Sequence, residues 1–168
     1  MQVQKPDERT LRDVLRFWAT GVAIVSSAHA GWAHGMTVNS FTSLSLDPPL
    51  VMVSLEKKTR THEMVQASGS YAVSVLAQSQ QQISERFAGR DTEQSNRFKD
   101  LETITLETGC PILSGALGFF DCRVVAEHDA GTHTVSIGEV LVAGFPAPSP
   151  ESTPPLLYFN RDYRHLAG

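Results

Sequence analysis

The sequence contains little cysteine and no compact metal-binding spacing. Its two cysteines, Cys110 and Cys122, lie twelve positions apart and form no CxxC pair. The six histidines show neither HExxH nor another close ligand spacing. We therefore expect no disulfide framework and no metal site, and we interpret both thiols as small buried side chains.

Long apolar runs and an excess of basic residues are also missing. No run approaches the roughly 20 residues of a membrane-spanning helix, and the amino end has no apolar signal core. The formal net charge of -4 argues against a general nucleic-acid binder, because such proteins need a basic face. We predict a cytoplasmic protein that binds neither membrane nor nucleic acid.

Three catalytic motifs are absent as well. The chain has no GxSxG, no Walker loop and no GxGxxG, which argues against hydrolase, P-loop and Rossmann classes. A nicotinamide nucleotide, if bound, is not held in the Rossmann manner.

The composition of the chain indicates one ordinary globular domain over residues 1–168. The hydrophobic fraction is 41% and the charged fraction 19%, both typical of folded domains. About six strand-like runs and two helical ones predict an antiparallel barrel with helices packed outside. Residues 146–155 are proline-rich and are predicted to form a surface linker before a C-terminal strand and tail.

The first predicted helix follows Asp7, a plausible N-cap. Leu11, Val14, Leu15 and Trp18 recur at helical spacing, and Gly21 is placed to end the helix. Residues 33–46 read as one extended segment, with Pro48 and the proline after it as the turn into the next strand.

The basic stretch KKTRT, residues 57–61, stands where a strand passes into a helix. Its charges, hydroxyls and helix amides together suit a phosphate group. A solvated basic turn is the alternative interpretation.

Small polar residues crowd the extended segment that precedes this stretch. Thr37, Asn39 and Ser40 offer donors and acceptors that suit the edge of a planar heterocycle such as a flavin. Ordinary hydroxyls on the solvent face of a strand would account for part of the same pattern.

His133 opens a predicted strand after a turn. An imidazole there could bond a nicotinamide amide or a ribose, or supply a proton near a reduced cofactor, although most single histidines are structural or exposed.

Taken in order, these segments resemble the flavin reductase-like family of FMN-binding split barrels, the small reductase components of two-component flavin-dependent monooxygenases. The resemblance covers nearly the whole chain, in the stretches RFWATGVAIVS, HGMTVNSFTSLSLDPPLVMVSL, KKTRT, GSYAVSVLA, RFAG, GCPILSGALGFFDCRVV, THTVSIGEVL and PLLYFNRDYRHL. It implies a mainly β fold, a six-stranded antiparallel Greek-key split barrel with a few flanking helices. It also implies a homodimer in which the partner subunit helps to build the flavin groove.

The resemblance further implies which residues contact the flavin. One set lies along the isoalloxazine or just beyond it: Thr37, Val38, Asn39, Ser40, Phe41, Ser43 and Leu44. A second set takes the flavin phosphate or forms a further contacting turn: Lys58, Thr59, Arg60, Thr61, Phe87 and Ala88.

Two more residues are implied on the nicotinamide side. His133 matches a family histidine that helps orient the nicotinamide, and Tyr163 lies in the C-terminal stretch that approaches the same pocket. The acidic residue usual before that histidine is Thr132 here, so the imidazole lacks that carboxylate partner. No residue is assigned as a catalytic acid, base or nucleophile.

The implied activity is NAD(P)H:flavin oxidoreduction, with FMN or FAD as flavin and NADH or NADPH as co-substrate. The reduced flavin would then serve a partner oxygenase. Two other functions stay open: an electron-transfer flavoprotein that holds FMN permanently, and a split-barrel binding module without a redox role.

Overall fold

A computed structural model describes residues 5, 7–89, 96–146 and 153–166. The chain is mainly β, with three α-helices and one short 3-10 helix, Gln78–Gln80, among the described residues. In chain order the helices and the long strands are α1 Glu8–Leu15, β2 Ala23–His29, β3 Trp32–Val38, β4 Thr42–Leu46, β5 Pro49–Glu56, α2 Arg60–Ser68, β6 Ser70–Val75, α3 Gln81–Phe87, β9 Gly118–Ala130 and β10 His133–Gly144. The short strands are β1 Thr20–Gly21, β7 Thr103–Ile104, β8 Ile112–Leu113, β11 Leu157–Phe159 and β12 Asp162–Arg164.

The long strands form one antiparallel sheet in the order β3-β2-β6-β9-β10-β5-β4. Two small sheets accompany it, β1-β11-β12 and β7-β8. The β2–β3 hairpin turns through Ala30 and Gly31, both at positive φ, which matches the strand twist of a two-residue hairpin.

The large sheet has seven strands where the sequence predicted six. The segment 33–46, predicted as one strand, divides into β3 and β4 at Ser40. The Ser40 hydroxyl donates to the Ser54 carbonyl at 2.8 Å and accepts from the Ser54 amide at 3.2 Å. These bonds fasten Ser40 to β5 and interrupt the strand.

The main core lies inside the large sheet. Val25, Val53, Leu55 and Tyr71 are fully buried there, and α2 adds Val65. A second cluster under α3 contains Phe87, Ile24 and Leu156. Helices α2 and α3 therefore contribute to different core clusters.

Helix α1 begins as predicted, because Asp7 accepts a hydrogen bond from the Thr10 amide at 2.7 Å. The predicted end at Gly21 is wrong. The helix ends at Leu15, and Gly21 belongs to β1, where it pairs with Leu157. No side chain of α1 is buried.

Helix α2 is bounded by Thr59 as N-cap and by Gly69, which adopts a left-handed conformation at φ +66°. Pro48 lies in the turn between β4 and β5, as predicted. Of the predicted linker 146–155, residues 147–152 lie outside the described residues. Pro154 accepts a hydrogen bond from the Gln78 amide, and Pro155 bridges to Ala77. Within the described parts of the chain, no helix is long and apolar enough to cross a membrane.

Candidate functional site

The basic loop forms the amino end of α2. Thr59 caps the helix, since its hydroxyl accepts from the His62 amide at 3.3 Å and donates to the Glu56 carbonyl at 2.7 Å. Lys58 and Arg60 are exposed beside this cap. The amides of the first helical turn have no partner within the helix, so charge and amide donors meet there. This arrangement suits an anion.

Thr61 lies beneath the loop. It is fully buried, and its hydroxyl is hydrogen-bonded to Nδ1 of His34 on β3 at 2.8 Å. Thr61 therefore fixes the loop to β3, and its hydroxyl already has His34 as a hydrogen-bond partner. Burial, and then the charges of Arg97 and Arg60, lowers the pKa of His34 to about 4. The ring is neutral at physiological pH.

A second arginine, which the sequence analysis missed, approaches this loop. Arg97 donates to the carbonyl of Gly35 on β3 and to that of Phe87 at the end of α3, both at 2.9 Å. Burial, and then the charge of Arg60, lowers the pKa of Arg97. Among the described residues no carboxylate forms an ion pair with Arg60 or Arg97. We call these two residues the arginine pair.

Five of the residues predicted to contact the flavin surround one small pocket of ≈ 180 Å³. It lies between the end of β3, the end of α3 and the β11–β12 hairpin, and we call it the hydroxyl pocket. The predicted residues that line it are Thr37, Val38, Asn39, Ala88 and Tyr163, and they are joined there by Val22, Ser84 and Tyr158.

The polar groups of this pocket bond to one another. Thr37 donates to the Ser84 carbonyl at 2.6 Å, and the Ser84 and Tyr163 hydroxyls are 2.8 Å apart. The Tyr163 ring also meets Tyr158 edge-on, with 5.6 Å between ring centroids. The C-terminal hairpin is thereby held against α3. The pocket wall is neutral and its hydroxyls are preorganised.

The other predicted contact residues lie outside this pocket. Phe41 packs on Phe120 against the core, at 5.2 Å between centroids. Phe87 is fully buried and meets Phe98 edge-on, so only its backbone carbonyl reaches Arg97. Ser43 and Leu44 are exposed on the edge strand β4, and neither lines the pocket.

His133 also lies apart from the hydroxyl pocket. It opens β10 opposite Glu56, and its Nδ1 is 2.9 Å from the Thr132 hydroxyl. The amide of Lys57 donates to the Thr132 carbonyl at 3.0 Å. His133 therefore stands beside the strand end that leads into the basic loop.

The hydrogen-bond donors around the basic loop and in the hydroxyl pocket fit a flavin mononucleotide unit. The arginine pair, Lys58 and the α2 amides supply positive charge and N–H donors for a phosphate. The hydroxyl pocket supplies neutral donors, acceptors and aromatic surface for part of a heterocycle. The two regions lie along one strand, because Gly35, bonded to Arg97, is two residues from Thr37.

Fold and site together define a mainly β protein in which a basic helix end and the neutral hydroxyl pocket flank the same strand, β3. A family model described as flavin reductase like domain matches residues 15–167. The chain belongs to this family.

Named relatives agree with this assignment. The chain is 35% identical over 158 residues to the flavin-dependent monooxygenase reductase subunit HsaB of Mycobacterium tuberculosis, covering 94% of this chain and 81% of that protein. It is 40% identical over 137 residues to the FMN reductase (NADH) SmoA of Agrobacterium fabrum, covering 82% and 76%. The solved structure of the NADH:FAD oxidoreductase SgcE6 of Streptomyces globisporus superposes with a TM-score of 0.89 at 30% identity, covering 100% and 99%.

Proposed function

We propose that this protein is an NAD(P)H-dependent flavin reductase that supplies reduced flavin to a partner oxygenase. One observation carries the proposal: Arg97, which neighbours Arg60 at the basic end of α2, donates to the carbonyl of Gly35 on β3, two residues from Thr37 in the neutral hydroxyl pocket. Relatives named as an NADH-dependent FMN reductase, an NADH:FAD oxidoreductase and a monooxygenase reductase subunit support it.

The flavin, when bound, supplies the redox chemistry by accepting a hydride from the nicotinamide and passing on electrons. The protein binds and orients it. Lys58 and Arg60 hold the phosphate together with the α2 amides, and Thr37, Asn39 and Tyr163 orient the ring. Ser40, Phe41, Ser43, Leu44, Phe87 and Ala88 shape the surrounding groove. No side chain is required as a nucleophile.

The nicotinamide side is assigned to His133 and Tyr163. The Thr132 hydroxyl, in place of a carboxylate, orients the His133 ring. The imidazole is therefore proposed to act as a hydrogen-bonding group toward the nicotinamide.

We further propose a single domain with a six-stranded split-barrel arrangement, working as a homodimer. Apolar side chains left in solvent support the dimer: Trp18 is 73% exposed and Leu46 91% exposed. Exposed side chains of this size are typical of contact surfaces between subunits. A second subunit over these residues would complete the groove beside β4.

The test is to purify the protein, identify any bound flavin, and follow oxidation of NADH and NADPH with FMN, FAD and riboflavin. A flavin reductase turns over added flavin in excess of the enzyme. A protein that keeps a tightly bound FMN and oxidises neither nucleotide would be an electron-transfer flavoprotein instead. Colourless protein that fails to quench flavin fluorescence would be a binding module without a redox role.

A further inference from the structure

Ser84 is a buried residue of α3 that the sequence analysis did not single out. Its relative exposure is 0%, yet two residues of the hydroxyl pocket bond to it. Its carbonyl accepts from the Ala88 amide at 2.9 Å and from the Thr37 hydroxyl at 2.6 Å. Its hydroxyl lies 2.8 Å from the Tyr163 hydroxyl. One residue of α3 therefore joins β3 to the β11–β12 hairpin.

The contact between Ser84 and Tyr163 has a preferred direction. A hydroxyl has one proton to donate, and a buried donor without an acceptor costs free energy. Among the described residues, the Tyr163 oxygen is the one hydrogen-bond partner of the Ser84 hydroxyl, and Ser84 is closed to water. Ser84 therefore donates and the Tyr163 oxygen accepts. Tyr163 is partly exposed and lines the pocket, so its own proton is free to bond to a ligand there.

Thr37 has the opposite role in the pocket. Its hydroxyl proton is donated to the Ser84 carbonyl, so its remaining capacity is that of an acceptor. The pocket thus offers a donor from Tyr163 and an acceptor from Thr37, and Ser84 fixes both. Such a pair matches a ligand group in which a carbonyl oxygen stands beside an N–H, as in a carboxamide or a lactam.

The size of the hydroxyl pocket fits such a group better than a whole ring system. It encloses ≈ 180 Å³, below the roughly 300–1,000 Å³ of pockets that take complete ligands. Val22 and Tyr158 supply apolar surface beside the hydroxyls, and no charged side chain of the described chain lines it. A neutral group with one donor and one acceptor is therefore the ligand group that this pocket suits.

We propose that Ser84 is a positioning residue, which directs the Tyr163 proton and the Thr37 lone pairs toward a carbonyl and an N–H of the bound ligand. Ser84 is covered by its neighbours and acts through them. This inference rests on the proposed function, which supplies two sources of such a group. One is the carboxamide of the nicotinamide nucleotide, and the other is the pyrimidine edge of the flavin.

The experiment replaces the carbonyl oxygen of each source by sulfur, a weak hydrogen-bond acceptor. Steady-state kinetics compare NADH with its thionicotinamide analogue, and calorimetric titrations compare FMN with its 2-thio and 4-thio analogues. The wild type should prefer the oxygen compound, and Ser84→Ala should lower that preference about five-fold for one source, the effect of one neutral hydrogen bond. Because the same two compounds are compared in each protein, their intrinsic difference in reactivity cancels.

Two further variants separate positioning from a general loss of structure. Ser84→Cys keeps nearly the same volume but donates weakly, so it should lower the preference by an intermediate factor. Tyr163→Phe removes the donor itself and should lower the preference as much as Ser84→Ala does. The variant that combines Ser84→Ala with Tyr163→Phe should lower it no further, since both changes remove the same bond.

Ser136→Ala is the matched control. Ser136 is equally buried, and its hydroxyl donates to Glu127 at 2.9 Å, outside the residues that line the hydroxyl pocket. Its removal also deletes a buried hydrogen bond, yet it should leave both preferences unchanged.

The outcomes separate the sources and the two proposals. A lowered preference for NADH over its analogue supports the inference with the carboxamide as ligand group, and a lowered preference for FMN supports it with the flavin edge. Unchanged preferences in Ser84→Ala, or additive losses in the double variant, would overturn the inference and leave the flavin reductase proposal intact. A wild type that oxidises neither NADH nor NADPH would overturn the flavin reductase function, and the flavin titrations would still decide the role of Ser84.

Discussion

The arginine pair contacts β3 at Gly35, two residues from Thr37 in the hydroxyl pocket, yet the two regions are built in opposite ways. The pocket is neutral, and its hydroxyls already bond to protein partners, as Ser84 does to Tyr163. The arginine pair carries two charges that, among the described residues, face no carboxylate. The hydroxyls of the pocket already have protein partners, and we propose that an anion is the partner of the arginine pair.

This difference indicates that the hydroxyl pocket selects the shape of the ligand, whereas the arginine pair contributes to the affinity for it. A preorganised neutral wall selects and orients a ring at small cost, while unpaired cations provide binding energy that salt screens. Changes in the charged region should therefore act on flavin affinity. Changes in the pocket should act on stability and on the geometry of turnover.

The largest effect is expected when the charges of the basic loop are removed. The double replacement Lys58→Ala with Arg60→Ala should raise the Kd for FMN about 10- to 100-fold, since two charge-assisted contacts to the phosphate are lost. Riboflavin, which has no phosphate, should bind the variant as it binds the wild type. Fluorescence titration at low and high salt measures both values.

Lys57→Ala is the control for this prediction. Lys57 belongs to the same loop but forms an ion pair with Asp129, so its removal should change FMN affinity by less than about three-fold. Equal weakening of riboflavin and FMN in the double variant would contradict the assignment of the loop to the phosphate.

The arginine pair should also make its surroundings sensitive to pH. The folded pKa of His34 is about 4, below its ordinary 6.5, so the unfolded chain binds this proton first as the pH falls. The free energy of unfolding should therefore decrease from about pH 7 to about pH 5. We expect about 1 kcal/mol, allowing for the partial exposure of the ring.

Urea unfolding of wild type and His34→Asn at the two pH values measures this contribution. Asparagine keeps a hydrogen-bonding group near Thr61 but does not titrate, so the loss between the two pH values should be smaller in the variant. An identical pH dependence in both proteins would rule out His34 as the source.

A smaller effect is expected in the hydroxyl pocket. Ser84→Ala and Tyr163→Phe each remove one member of the 2.8 Å hydroxyl contact. A double-mutant cycle on the free energy of unfolding should give a coupling of about 0.5–1 kcal/mol, the usual worth of one neutral hydrogen bond. Additive single effects would show that the contact contributes nothing.

The smallest effect is expected at His133. His133→Asn should raise the KM for NADH about three-fold and leave the Kd for FMN unchanged, because the residue is assigned to the nicotinamide side only. Steady-state kinetics with NADH, together with FMN titration, separates the two. A change in FMN affinity alone would place His133 on the flavin side instead.

The features that depend on a short stretch of sequence were mostly predicted, among them helix starts and several residues of the candidate site. Helix α2 begins within the basic stretch, where the sequence indicated that a strand passes into a helix, and Asp7 caps α1 as predicted. The family resemblance also indicated five residues that the fold gathers around one pocket, from Thr37 to Tyr163. Such features follow from spacing and residue type within a short window.

Features that depend on distant partners were missed. Arg97 stands in a polar stretch with no motif, and only the fold brings it to Gly35, 62 positions away. The break at Ser40 depends on bonds to β5, so periodicity within the segment could not reveal it. The pattern placed the end of α1 at Gly21, but Thr20 and Gly21 form β1 by pairing with Tyr158 and Leu157, which lie far along the chain.

The most direct test of the flavin reductase function is a single anaerobic mixing experiment. Protein is mixed with NADH and an excess of FMN or FAD, and bleaching of the oxidised flavin absorbance is followed to completion. We expect a small amount of enzyme to reduce all of the added flavin, at one NADH per flavin. Bleaching that stops at one flavin per protein chain, or that begins with neither FMN nor FAD, would contradict the flavin reductase function.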